Sequence, residues 1–91
     1  MMWNVSCVVW KVNRNGRNDI LVTHARSFRS EKLARSHYRE LVSSYRDDSY
    51  FTVTELDGNV EGIRGWRCYD NEGRNSTRNV VIFISPNPDV Y

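Results

Sequence analysis

The sequence predicts a single α+β domain in which one helix packs on a mainly antiparallel sheet. The chain has 91 residues, the size of one domain. Only residues 30–46 have the spacing of an amphipathic helix, and strand-like segments around them give the order ββαβββ. A β-grasp arrangement and a plain antiparallel sheet crossed by one helix both fit this order. Residues 1–85 are assigned to the domain and residues 86–91 to a C-terminal tail.

The first two strands are predicted to form a hairpin. Residues 3–12 alternate in polarity except at 8–10, where both faces are apolar, so we expect a central strand covered on both sides there. Asn15-Gly16 is a dipeptide that type I′ turns prefer, and residues 19–25 return as the second strand. A two-residue loop predicts three facing pairs: Val9 with Val22, Cys7 with His24, and Trp10 with Leu21.

The helix is predicted to begin after Ser30, whose hydroxyl is a good N-cap, and to end near Arg46. Glu31 lies near the positive end of the helix dipole and four residues before Arg35, which favours an ion pair. At about 100° per residue one side of the helix is apolar. Its predicted members are Leu33, Ala34, His37, Tyr38, Leu41, Val42 and Tyr45.

Three further strands follow the helix. Residues 49–56 alternate aromatic and β-branched side chains, and Asp57-Gly58 is a turn signal before the return over residues 59–69. Gly62 and Gly65 within that return indicate a bulge or a close backbone approach. Residues 70–77 are predicted to be a polar loop. The apolar run 79–84 is either buried on both faces or an edge that awaits a partner.

The polar side of the helix and the segment before it carry a group of cations, although the formal net charge of the chain is only +2. We call this group the basic stripe, and its members are Arg26, Arg29, Lys32, Arg35, Arg39 and Arg46. The simpler interpretation is a solvated face of long side chains. The alternative is a binding surface for phosphates or for an acidic partner.

The sequence favours a binding protein over an enzyme. Its Asp, Glu, His and Cys residues are not grouped as acid–base catalysis or metal binding requires, so we expect no enzyme activity, cofactor or metal.

Cys7 and Cys68 are interpreted as reduced thiols in a cytoplasmic protein. Residues 1–13 lack the basic and apolar regions of a secretion signal, so we expect none, and no apolar run is long enough to predict a membrane span. Candidate aromatic anchors for a partner are Trp3, Trp10, Tyr50, Trp66 and Tyr69.

The junction between the second strand and the helix has a recognisable pattern. It reads F-x-S-E-x-x-A-x-x-x-Y-x-x-L, carried by Phe28, Ser30, Glu31, Ala34, Tyr38 and Leu41. Over roughly the first 56 residues the chain resembles small accessory proteins of bacteriophage genomes. This resemblance implies a cytosolic protein that binds a host factor, and it transfers no catalytic residue.

Two functional hypotheses follow. The first is a non-enzymatic protein-binding module, such as a phage-type accessory protein or inhibitor that acts on a host protein. An edge strand, for example residues 79–84, would pair with that partner or with a second copy as a homodimer. The second is nucleic-acid binding through the basic stripe, with aromatic side chains as stacking platforms.

Overall fold

The computed structural model describes residues 2–13, 15–48, 51–71 and 74–87, and these form one α+β domain. One helix packs on a five-stranded sheet, as predicted. The elements are β1 (Met2–Val12), β2 (Asn18–Phe28), α1 (Glu31–Arg46), β3 (Thr52–Glu55), β4 (Glu61–Asn71) and β5 (Arg74–Asn87).

The strands lie in the order β2-β1-β5-β4-β3, and every pair is antiparallel. Of the two alternatives predicted for residues 79–84, the sheet edge is therefore wrong. They belong to β5, which pairs along its length with β1 on one side and with β4 on the other. The edges of the sheet are β2 and β3, so a homodimer through residues 79–84 is excluded because their backbone groups are already paired.

The core lies between the helix and one face of the sheet. Apolar side chains at alternate positions of β1, β4 and β5 are buried under α1, where Ala34 and Val42 are the buried helix residues. The buried sheet residues are Val5, Cys7, Val9, Ile63, Val80, Ile82 and Ile84. The prediction that Leu33 belongs to the buried apolar side of the helix is wrong, because Leu33 is 60% exposed.

The caps of α1 follow the sequence signals. The Ser30 hydroxyl accepts a hydrogen bond from the backbone N–H of Leu33 at 3.4 Å, and Asp47 is the C-cap. The predicted pair of Glu31 and Arg35 is present, with Nε and Oε1 3.0 Å apart. The helix therefore begins and ends within one residue of its predicted bounds.

The first hairpin keeps two of its three predicted pairs. Val9 faces Val22 and Cys7 faces His24, but Trp10 faces Ile20 because a bulge shifts the register after Val9. Gly16 has a φ of +82°, the left-handed conformation that glycine adopts without strain. The predicted two-residue loop is wrong, because Val12 faces Asn18 and not Asp19. The residues of β2 between the turn and Leu21 therefore lie on the opposite face of the sheet from the predicted one.

The second half of the sheet is more extended than predicted. β4 reaches Asn71 and β5 begins at Arg74, so much of the predicted loop 70–77 is strand. The pairing of β4 with β5 is continuous from Glu61 to Asn71, so β4 has no bulge. β5 also continues to Asn87, two residues into the segment assigned to the tail.

Candidate functional site

One face of the sheet is not covered by any element of the described residues. The helix packs on the face that carries Val5 and Ile82, and the alternate side chains of β1, β4 and β5 point the other way. We call this second surface the open face. Its central members are Val8, Trp10, Arg64, Trp66, Asn79, Val81 and Phe83. The prediction that residues 8–10 are covered on both sides is therefore wrong, because one helix covers only one face.

Two tryptophans form the centre of the open face. Asn79 of β5 faces Trp10 of β1 on one side and Trp66 of β4 on the other, which places the three side chains in one row across the sheet. Asn79 is only 9% exposed, and its Nδ2 donates to the carbonyl oxygen of Thr77 at 3.3 Å. Both indole side chains stay partly exposed. The row thus presents two large aromatic surfaces around a shielded amide.

Aliphatic and cationic side chains continue this surface in the next row. Val8 faces Val81, and Val81 faces Arg64. The valines are partly exposed and Arg64 is exposed. A shallow groove of about 480 Å³ lies on the β4 side of the face, lined by Thr54, Arg64, Trp66, Cys68, Thr77 and Asn79. It offers an aromatic wall and a cation to a side chain that enters from solvent.

A second groove of about 360 Å³ lies between α1 and the turn from β3 to β4. Its charged lining consists of Arg39, Arg46, Glu55 and Glu61. Arg46 Nη2 lies 3.6 Å from Glu55 Oε1, and Glu61 is paired with Arg35, so most of these charges neutralise one another. We regard the open face as the stronger candidate because its aromatic groups have no such internal partners in the described residues.

The basic stripe is only partly available as a cationic surface. Arg35 bonds both Glu31 and Glu61, and its guanidinium lies 5.5 Å from the centre of the Trp3 ring. Its bond with Glu61 ties the helix to β4, and hydrogen bonds with Glu61 and Glu31 raise the pKa of Arg35. Arg46 is paired with Glu55. The remaining four cations of the stripe are exposed and have no ion pair with a described carboxylate: Arg26, Arg29, Lys32 and Arg39.

The predicted aromatic anchors divide between the two faces. Trp10 and Trp66 share the open face, whereas Trp3 packs on the helix side beside Phe28 and Arg35. Tyr50 lies outside the described residues. Tyr69 is in β4, but its side chain lies outside the described part. The tryptophans of the open face and the cations of the helix are therefore on opposite sides of the sheet.

No family model, curated protein or solved structure matches the chain. No relative therefore supplies site residues for these surfaces.

A pair of histidines that was not predicted from the sequence joins the edge of the sheet to the helix. His24 Nε2 of β2 lies 3.0 Å from His37 Nε2 of α1. Burial lowers the pKa of His37, electrostatic repulsion from the His24 ring and from Arg26 lowers it further, and Glu40 opposes these effects. Within the described residues, no third His, Cys, Asp or Glu lies close enough to complete a metal site with this pair. The predicted pair of Cys7 and His24 placed His24 on the helix side of the sheet. That pair suggested Cys7 as the side-chain partner of His24, whereas the structure shows that the partner is His37.

The two cysteines are free thiols on opposite faces of the sheet. Cys7 is buried under the helix, where burial raises the pKa of its thiol and a hydrogen bond with Tyr45 partly offsets that rise. Cys68 is exposed in the groove beside Trp66. The sheet separates the two sulfurs, so the chain has no route to an internal bridge between them.

The described residues include no helix with the length and apolarity that a membrane crossing demands.

Proposed function

We propose that this chain is a non-enzymatic module that binds another protein through the open face of its sheet. The observation that carries the proposal is the row of Trp10, Asn79 and Trp66 on a face that no described element covers. Tryptophan and arginine dominate the energetics of protein interfaces, and Arg64 lies beside this row. Resemblance to phage accessory proteins supports a host protein as the partner and inhibition as the mode of action.

The dimensions of the open face fit such a partner. Five strands about 4.8 Å apart make a surface roughly 24 Å wide, and the longer strands extend it beyond about 30 Å. A face of that size approaches the area of about 800 Å² per partner that specific complexes bury. The complementary surface would present apolar side chains to the tryptophans and a carboxylate to Arg64.

Affinity capture from a host extract, with and without nuclease, tests the proposal. We expect one protein to be retained after nuclease treatment. The double variant Trp10→Ser, Trp66→Ser removes two anchors and should weaken binding of that protein roughly a hundredfold or more. Arg64 is exposed, so Arg64→Glu should weaken binding and leave the thermal unfolding temperature unchanged. Arg39→Glu, the same change on the helix, is the matched control and should bind normally.

Two results would overturn the proposal. One is a captured protein whose affinity is indifferent to both the tryptophan variant and Arg64→Glu. The other is capture that disappears with nuclease, since this would transfer the activity to nucleic acid.

Nucleic-acid binding remains the second candidate, supported by the four stripe cations that lack a described carboxylate partner. About four phosphate contacts would give a slope of roughly −3 to −4 in log affinity against log salt. Arg35 and Arg46 would contribute little, because they are engaged with carboxylates. The quadruple variant that replaces Arg26, Arg29, Lys32 and Arg39 by Ala should abolish this binding, and a salt titration without any binding would remove the candidate.

A further inference from the structure

The strand β2 is an unusually bare edge of the sheet. It has 11 residues, whereas the other edge, β3, has four. Three consecutive apolar side chains of β2 are open to water: Ile20 is 72% exposed, Leu21 45% and Val22 49%. Soluble proteins protect long edges with lysine, proline or inward charges, and β2 contains neither lysine nor proline. Its protective features of this kind are the bulge and the two charged side chains, Asp19 and Arg26.

We propose that two copies of this chain pair through β2, antiparallel and about a two-fold axis, to form one ten-stranded sheet. This interface is separate from the open face, so it goes beyond the proposed protein-binding function. Such pairing supplies partners for the outward N–H and C=O groups of β2 and covers part of the exposed apolar run.

The bulge and the requirement for matching faces limit the register. Arg26 faces Val5 across β1 and so lies on the helix side of the sheet, and Asp19 faces Lys11 on that same side. Residues directly opposite in an antiparallel pair project to the same face. Leu21 is the extra residue of the bulge and has no partner across β1, so it is left out when residues of β2 are counted. Counted in this way, a register centred on Thr23 satisfies the condition and places Asp19 of each copy opposite Arg26 of the other.

The other pairs in this register are compatible. Val22 faces His24 and Ile20 faces Ala25 of the second copy, again with each pair on one face. The two neighbouring registers that also match faces give Arg26 no acidic residue opposite it. A centre at Val22 sets Arg26 opposite Arg17, and a centre at His24 sets it opposite Val22.

Charge complementarity identifies a second copy as the occupant of this edge. Asp19 of one copy faces Arg26 of the other, and the two-fold axis repeats this contact. The dimer therefore has two attractive charge pairs. Arg26 has no ion pair with a described carboxylate within the monomer, where its guanidinium lies 5.0 Å from the centre of the Phe28 ring. Asp19 has local contacts with Asn13 and Arg17 in the turn, and its side chain stays 48% exposed. Both groups can therefore approach another chain.

Sedimentation equilibrium over a wide concentration range tests the proposal. Wild-type protein should show a reversible dimer. Asp19→Arg and Arg26→Asp each place like charges opposite each other twice, and each should weaken the dimer about tenfold or more. An equimolar mixture of the two single variants should restore the dimer, because each chain then presents the charge that the other needs. This restoration is specific to the proposed register.

Ile20→Lys is a second variant that the monomer should tolerate, because the side chain is mostly in water. It adds the lysine that natural edges use and should make the protein monomeric. A wild-type chain that stays monomeric up to millimolar concentration overturns the proposal. So does a dimer that survives both Ile20→Lys and Asp19→Arg. Capture of a host protein by the monomeric Ile20→Lys variant would show that the open face acts independently, so the two proposals fail or succeed separately.

Discussion

His24 and His37 face each other nitrogen to nitrogen across the junction of β2 and α1. Their Nε2 atoms are 3.0 Å apart and their ring centroids are 5.2 Å apart, so one ring donates an N–H to the lone pair of the other. This hydrogen bond needs one proton between the two facing nitrogens. If both rings were protonated, two N–H groups would face each other and two cations would repel.

The free energy of unfolding should fall as the pH falls through the ordinary histidine range. The folded state holds the pKa of His37 below 6.5, so the unfolded chain binds more protons in this range. The histidine contribution is fully present above about pH 6.5 and is lost towards the lower, folded pKa. Urea denaturation at a series of pH values between about 7.5 and about 5 measures this slope.

The variant His37→Gln isolates the contribution of the pair. It retains a polar side chain but removes the titration, so its unfolding free energy should depend less on pH over that range. His24→Gln should act in the same direction. An unchanged slope in both variants would contradict the assignment, and the carboxylates would then account for the pH dependence.

Arg35→Ala should lower the free energy of unfolding by about 1 kcal/mol, because it removes two exposed ion pairs and a contact with the Trp3 ring. Part of this loss should disappear at high salt, which screens exposed charges. Arg39→Ala is the matched control, because Arg39 is exposed on the same helix without a described ion pair, and it should change stability by less than about 0.5 kcal/mol. Equal effects of the two substitutions would refute the structural role of Arg35.

Gly62→Ala should be more destabilising than Gly65→Ala. A methyl group on Gly62 would lie 2.5 Å from the carbonyl oxygen of Ile82 and 2.7 Å from Leu56 Cδ1. The closest atom at Gly65 is a methyl of Val80 at 3.0 Å, which belongs to a side chain and has more room to shift. We expect a loss of about 2–3 kcal/mol for Gly62→Ala and less for Gly65→Ala, measured by chemical denaturation. The reverse order would show that the β4 backbone moves more freely than its paired position implies.

Cys68 should react with a thiol reagent in the folded protein, whereas Cys7 should not. Cys68 is exposed beside Trp66, but Cys7 is 3% exposed and its thiol pKa is raised by burial. Mass spectrometry of a labelling time course separates the two sites. Labelling of Cys7 should follow the opening of the core, and denaturant should accelerate it. Rapid labelling of Cys7 in native protein would contradict its position under Tyr45.

A partner on the open face should also change this labelling pattern. Cys68 lies in the groove beside Trp66, so a protein bound there would slow its modification. A partner bound only at the helix should leave the rate unchanged. The rate for Cys68 therefore distinguishes the open face from the basic stripe without a substitution.

The helix and the first hairpin were predictable because their signals are local. Ser30 and the apolar spacing define α1, and Asn15-Gly16 marks the position of the turn. The predicted two-residue loop is wrong, because Val12 faces Asn18 and not Asp19, and the bulge restores the predicted pair of Val9 and Val22. The bulge after Val9 was not predictable, because no residue there has a conformational preference that demands one. It changed the partner of Trp10 and the faces of the residues that follow the turn.

The candidate site was less accessible from sequence, because it depends on which strands become neighbours. The apolar run 79–84 was compatible with an edge or with a doubly covered strand, and its real position is central with one face open. The row of Trp10, Asn79 and Trp66 combines residues from three strands, and only their register brings them together. Helical spacing likewise placed Arg35 in a basic stripe but could not reveal Glu61 beside it.

The position of β5 has a consequence for biosynthesis. The strand that joins the β1–β2 hairpin to the β3–β4 hairpin is the last of the five to leave the ribosome. Until β5 emerges, β1 and β4 each lack one neighbouring strand, and their apolar side chains are not yet buried. We therefore expect assembly to wait for this long-range closure, so that folding is slow and the apolar margins of the two hairpins stay exposed to aggregation until β5 pairs with both.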